Sequence, residues 1–439
     1  MNAKVYTKVF FYLIFSGLTT VSLAQSHGDH HPAAAGSEKS QVVTDSTTAP
    51  DTLVHLDHKA SCEEHHEEFN AGDNAVHHIS DANAIHVIGD VYFHLPCILY
   101  APTNGWTVGT TAAFHPHHHG NGENTLNGYV LNHGAIYRIK DASMATGVHT
   151  VSCFTKETLL DTVKNKQIEI QYAVIDGKPY ELESKTTYDG GLLGGGITGF
   201  YDFSITRNVF TMLLTCLILG FLFIAVAKAA RNGRGKAPKG LQNMVEVLIT
   251  FIRDDVAKPN IGHKYEKYMP YLLSAFFFVL GLNLIGQIPF FPGSANVTGN
   301  ISVTIILAVL TFLISTFSAN KHFWEHTLWM PGVPTVLKVL ILTPIEILGL
   351  FLKPFTLLLR LFANITAGHI VILSFVSLIF ILGHSGESTG GGIAGVMASV
   401  PLTLFMMTLE LLVAFLQAFI FVMLSATYIG AAVEEPHHH

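Results

Sequence analysis

Two apolar runs of unusual length, over residues 339–382 and 394–430, constrain this chain more than any other feature. A helix needs only about 20 residues to cross the hydrocarbon core of a bilayer. At 1.5 Å per residue, a helix over the first run would be roughly 65 Å long, about twice that thickness. It must therefore be steeply tilted, bent or broken, and Pro344 and Pro354 are its natural bend points. Two such helices in succession predict a hairpin lying obliquely in the membrane.

The hairpin is not purely apolar. Glu346, Lys353 and Arg360 follow one another at intervals of seven, and Asn364 stands one turn further on. Residues seven apart on a helix are displaced by only about 20°. These four side chains therefore share a stripe roughly 80° wide if the helix is continuous, and His369 points to the opposite side. In the second run Glu410 and Gln417 again stand seven apart and share a face. An arginine at a membrane-helix centre costs about 2.5–3.5 kcal/mol on insertion scales, and polar stripes in adjacent apolar helices describe a proton or ion path. Arg360 stays charged and cannot relay protons, so it serves as a fixed positive charge. Histidine and glutamate can load and release protons near neutral pH when their surroundings tune them. Lys353, beside Pro354, can also simply snorkel.

Three shorter runs complete a membrane domain of about five crossings: 209–230, 269–291 and 301–319. The first ends in a flank carrying Lys228, Arg231, Arg234, Lys236 and Lys239. Positive flanks stay cytoplasmic, so this crossing runs from outside to inside and the tail 434–439 ends in the cytoplasm. Between the first two runs, residues 241–260 have apolar side chains at helical spacing with late charges, as a surface or packed amphipathic helix requires. At the N-terminus, Lys4 and Lys8, a short apolar stretch and a small-residue site after Ala24 have the order of a secretory signal peptide over 1–24. Both signals place the mature N-terminus in the periplasm and the protein in the cell inner membrane.

The segment 25–80 is poor in core-forming residues and reads as flexible. Over 81–204, short β-rich runs separated by Asn-Gly and Asp-Gly turns predict a small, mainly β extracytoplasmic domain, joined through the glycine-rich stretch 190–200 to a membrane domain over 205–433. Cys62, Cys97 and Cys153 allow one bridge there, and sequence does not choose the pair. Seventeen of the 25 histidines precede residue 150, but their tracts lack a specific ligand spacing, so no metal site or other cofactor is assigned. A membrane-anchored periplasmic metal-binding or metal-transport protein is the competing reading. Metal would then have to cross a membrane part that has no Cys or Met ligand cluster. A secondary antiporter would show inverted repeats, which the sequence lacks. A net charge of −7 argues against nucleic acid.

The stretches "TPIEILGLFLKPFTLLLRLFANITAGHIVI" and "ELLVAFLQAFIFVMLSATYIG" closely resemble subunit a of F-type ATP synthases. The amphipathic segment and the loop "NLIGQIPFFPGSANVTGN" resemble it as well, over roughly 205–433. The resemblance implies a non-catalytic stator subunit that works with the c-ring and b subunits, the ATP chemistry lying on other subunits. Arg360 would face the ring carboxylate. Asn364, His369, Glu410 and Gln417 would line the outer half-channel, and Glu346 the cytoplasmic one. Protons are the expected cargo; Na⁺ stays open because the ion site belongs to the ring. Many bacterial members carry Glu where His369 stands and His where Glu410 stands, so the pair is exchanged here.

Overall fold

The computed structural model describes residues 53–57, 80–88, 91–117, 120–161, 166–187, 197–233, 237–288, 295–328, 335–383 and 388–434. The signal segment 1–24 and most of the histidine-rich segment lie outside them. The chain divides into two units at Arg207/Asn208.

In the first unit an antiparallel six-stranded sheet runs in the order β1 (Leu53–Asp57), β10 (Val151–Asp161), β11 (Lys166–Ile175), β12 (Lys178–Glu183), β9 (Ala135–Ile139), β8 (Tyr129–Asn132). A three-stranded sheet pairs β13 (Tyr201–Asp202), β4 (Pro96–Ala101) and β5 (Gly105–Thr110). The hairpins β2 (Ala84–Ile88)/β3 (Val91–His94) and β6 (Pro116–His117)/β7 (Asn121–Gly122) complete it. Successive strand residues face opposite sides. Tyr129 and Leu131 of β8 therefore enter a core with Cys97, Leu99, Phe114 and Phe200, while Val130 enters a second core with Ala173, Ile175 and Leu182. The expected turn chemistry is present: Asp176 and Gly177, at φ 51° and 74°, close the β11–β12 hairpin, as a two-residue turn with both central φ positive requires.

Two boundaries differ from the sequence reading. The flexible segment expected over 25–80 contains β1, whose Leu53 and Val54 pair with Asp161 and Leu160 of β10. The end of the expected joint is built into the domain as well. Thr186 Oγ1 donates to Thr198 O at 3.0 Å, Arg138 Nη1 donates to Gly199 O at 3.0 Å, and Phe200 is fully buried. Cys153 is disulfide-bonded, whereas Cys97 is free and buried, and burial pushes its thiol up to about 11. Cys62 lies outside the described residues.

The second unit is helical. Five helical stretches among the described residues are long and apolar enough to cross a membrane. They are α1 (Arg207–Asn232); α2 (Leu241–Phe251), which continues through a π-helical turn and α3 (Lys258–Ile261) into α4 (Tyr265–Gly286); α5 (Ile301–Ser318); α7 (Thr343–Leu382); and α8 (Thr389–Val433). The short α6 (Lys321–Leu328) follows α5. The fold is thus a polytopic helical membrane protein with a small, mainly β domain ahead of it.

α1 exposes Leu213, Leu217, Phe221 and Ile224, a stripe at helical spacing suited to lipid. The amphipathic segment buries Val245, Ile249, Ile252 and Val256 and exposes Leu241, Met244 and Val247, so it is packed on one side and apolar on the other. α4 stops at Gly286, five residues before the expected end, where Gln287 N–H donates back to Asn283 O and closes the helix. α8 begins five residues before its apolar run, because Ser388 caps it by accepting from Gly391 N–H at 3.2 Å. α7 is continuous over 40 residues with Pro354 inside it.

Candidate proton-path hairpin

α7 and α8 lie antiparallel, and two side-chain contacts fix their register. Near the start of α7, Lys353 Nζ sits 5.6 Å from the ring centre of Tyr428. Towards its end, His369 Nδ1 is 3.6 Å from Glu410 Oε1. Sixteen residues separate the two contacts on α7 and eighteen on α8. On this register Arg360 lies level with Ile420 and Asn364 level with Leu416, next to Gln417. The two contacts are roughly 25 Å apart along the helices. Arg360 therefore stands between them, closer to the Lys353 end.

The His369–Glu410 contact depends on a glycine. A Cβ at Gly368 would lie 3.0 Å from Glu410 Oε1, so the missing side chain leaves room for the carboxylate against α7. The Glu410 side chain is 5% exposed and that of His369 is 19% exposed. At 3.6 Å the pair is just beyond direct hydrogen bonding, and Glu410 Oε1 makes no hydrogen bond in the structure. One bridging water or a small side-chain rotation would complete a proton transfer.

Neighbouring helices hold α8 in place. Asn283 Nδ2 on α4 donates to Ala414 O at 3.2 Å, one turn beyond Glu410, and Thr298 Oγ1 donates to Asn283 Oδ1 at 2.8 Å. At the far end Thr427 Oγ1 donates to Asn260 Oδ1 at 3.1 Å. There any Cβ on Gly430 would collide with Asn260 O, so only glycine permits the approach. Between these points Tyr271 O–H and Thr311 Oγ1 share a hydrogen bond of 2.6 Å, and Thr311 Oγ1 lies 3.5 Å from Ser425 Oγ. Beside this cluster a small pocket is lined by Thr311, Ser315, Lys353, Leu357 and Tyr428, among others.

The predicted side chains are thus distributed as follows. His369 meets Glu410, and Gln417 is buried on α8. Lys353 turns towards α8, Glu346 and Arg360 are half-buried, and Asn364 is exposed. α7 is continuous, so Glu346, Lys353, Arg360 and Asn364 keep the one stripe expected of them, along which Lys353 meets Tyr428 of α8 and Asn364 is exposed. Arg360 has no ion-pair or hydrogen-bond partner among the described residues. Asn283, Tyr271, Thr311 and Ser425 were not singled out from sequence. Their only signal is a small polar residue inside an apolar run. No group of three or more His, Cys, Asp or Glu side chains is placed to hold a metal among the described residues.

This arrangement defines a multi-pass membrane protein that presents ionisable side chains along a long helical hairpin. The family model of the ATP synthase A chain matches residues 209–430, and the chain belongs to that family. It is 46% identical over 253 residues to ATP synthase subunit a 2 of Chlorobaculum tepidum, covering 55% of this chain and 67% of that protein. It is 47% identical over 279 residues to ATP synthase subunit a of Chloroherpeton thalassium, covering 62% and 79%. To ATP synthase subunit a of Chlorobium phaeobacteroides (strain BS1) it is 45% identical over 271 residues, covering 60% and 74%. Residues 75–162 match a second family, a domain of unknown function.

Proposed function

We propose that this chain is the proton-conducting stator subunit of an F-type ATP synthase, forming two half-channels that load and unload the carboxylates of a rotating c-ring. It is not an enzyme on its own, the ATP chemistry lying on other subunits, and the b subunits are further Fo partners. The observation that carries the reading is the register of the hairpin. A buried acid–imidazole pair stands at one level and Lys353 over the Tyr428 ring at another, with an arginine between them that has no ion-pair or hydrogen-bond partner among the described residues.

A proton enters from outside, passes Glu410 and His369 beside Gln417 and Asn364, and neutralises a ring carboxylate. The neutral site enters lipid at low cost, whereas a charged one does not. After nearly a full turn the proton leaves on the cytoplasmic side past Glu346. Arg360 holds the carboxylate ionised between the two paths and blocks a direct leak. Each charge crossing 100 mV releases about 2.3 kcal/mol, which rotation couples to ATP synthesis. The basic flank after α1 supports a periplasmic extension and a cytoplasmic C-terminus in the inner membrane. The disulfide at Cys153 supports the same side for the extension, since such bonds persist in oxidising compartments.

The test is Arg360→Lys, assayed as ATP-driven proton pumping in inverted vesicles. Lysine is a point charge that loses its proton when desolvated, whereas arginine is a permanently charged fork. Pumping is expected to be abolished with the complex still assembled. Normal pumping would remove Arg360 from its role.

A further inference from the structure

An antiparallel sheet with one face in a core normally presents polar side chains on the other. The sheet β13-β4-β5 does not. Its inner face supplies Cys97, Leu99 and Ala101 to the core. Its outer face carries Ile98, Tyr100, Trp106, Val108 and Tyr201, continued by Phe203, with no charge among them. Trp106 is 63% exposed and Val108 71%. The rings form a connected surface: Tyr100 to Trp106 at 4.9 Å, Trp106 to Phe203 at 5.8 Å, and Tyr201 to Phe203 at 6.4 Å between centres. A contiguous exposed patch of this kind marks an interaction site rather than a solvated face.

Chain continuity selects the occupant. Phe203 lies four residues before Arg207, the first residue of α1, the first membrane-crossing helix. The intervening residues are hydrogen-bonded into the first unit. Phe203 N–H donates to Ile98 O at 2.8 Å, Ile205 N–H to Pro96 O at 3.0 Å and Arg207 N–H to Ala82 O at 2.7 Å. The aromatic face is thus tied, within about 14 Å of extended chain, to the point where the backbone enters the bilayer. Tyrosine and tryptophan, each with an apolar ring and a polar tip, are the side chains enriched at the membrane–water interface.

We propose that the outer face of β13-β4-β5 is a lipid-contact surface that seats the extension in the headgroup layer of the bilayer crossed by α1. The proposal concerns lipid as the partner and does not depend on what the hairpin transports.

The test uses the full chain in vesicles, with Trp324→Phe and Trp329→Phe leaving Trp106 as the sole reporter. Vesicles are made with ordinary phosphatidylcholine or with its analogue brominated near the headgroup end of the acyl chains. Trp106 emission is expected to fall by roughly half in the brominated vesicles and to resist aqueous acrylamide, as an interfacial indole does. Val108→Trp combined with Trp106→Phe, on the same face, should behave alike. Lys178→Trp with Trp106→Phe, at the β11–β12 turn and off this face, should be quenched by acrylamide alone, and the far-ultraviolet circular dichroism of each variant reports that the domain is folded. Free quenching of Trp106 by acrylamide with no effect of bromine overturns the proposal. Protection of Trp106 from both quenchers only when other subunits are present overturns it too, because a protein is then the partner.

Discussion

α4 and α7 are both apolar helices of one membrane unit, yet they sit in opposite surroundings. In the most apolar 18-residue window of Leu241–Gly286, 78% of the residues are buried, against 11% in that of Thr335–Leu382. Phe276, Phe277, Phe278 and Leu272 of α4 all lie inside the protein. α7 buries a narrow line through Leu357, Leu361 and Ile365 and leaves Phe351, Phe355 and Leu359 exposed. Apolarity cannot tell these helices apart, because lipid tails are as apolar as a leucine core. The polar groups can. Asn283 on α4 bonds to α8, whereas Arg360 on α7 is half-buried with no ion-pair or hydrogen-bond partner among the described residues and Asn364 is exposed. An ionisable side chain within a membrane helix is a functional-site signal by default, and on the function proposed here the open side of α7 meets a charged neighbour rather than lipid.

After the loss of pumping expected at Arg360, the largest effect in the hairpin is at the contact joining α7 to α8. Glu410→Gln should lower ATP-driven proton pumping about 100-fold, since a positioned acid–base group contributes at least that much. His369→Glu combined with Glu410→His restores one acid and one imidazole in contact, and should pump better than either single change. A double variant no better than the worse single one would show that the two do not act as a unit.

Next comes the packed side. Gly430→Leu drives a side chain into the backbone of Asn260 and should destabilise the chain by about 1–3 kcal/mol, read as a lower unfolding temperature in detergent. Asn283→Leu removes a buried donor to Ala414 O and should cost about 1–2 kcal/mol in the same assay. Leu359→Gln, on the open side of α7, should change that temperature least, because no protein packing is lost. A drop as large as that at Asn283 would mean that the open side is structurally committed within the chain.

Much of this was legible in the residues. The over-long runs gave both hairpin helices, and the interval of seven put Glu410 and Gln417 on one face, where both are buried. Helix ends were less legible, because capping by Ser388 and closure at Asn283 depend on single hydrogen bonds rather than on apolarity. What the polar stripe meets was not legible either. Lys353 turns to Tyr428 because α8 crosses there, and a helical wheel drawn for one helix has no neighbour in it. The Asn283–Ala414 and Thr311–Ser425 contacts join residues 131 and 114 positions apart, and nothing local in the sequence marks such pairs.

The most direct measurement is cysteine cross-linking in the assembled complex, between this chain and a cysteine placed beside the carboxylate of a ring subunit. Leu359→Cys reports the open side of α7, and Val279→Cys reports the enclosed α4, where the native side chain is fully buried. Disulfide formation from position 359 and none from 279 is the predicted result. No cross-link from 359, or an equal one from 279, would contradict the assignment of α7 as the face that meets the ring.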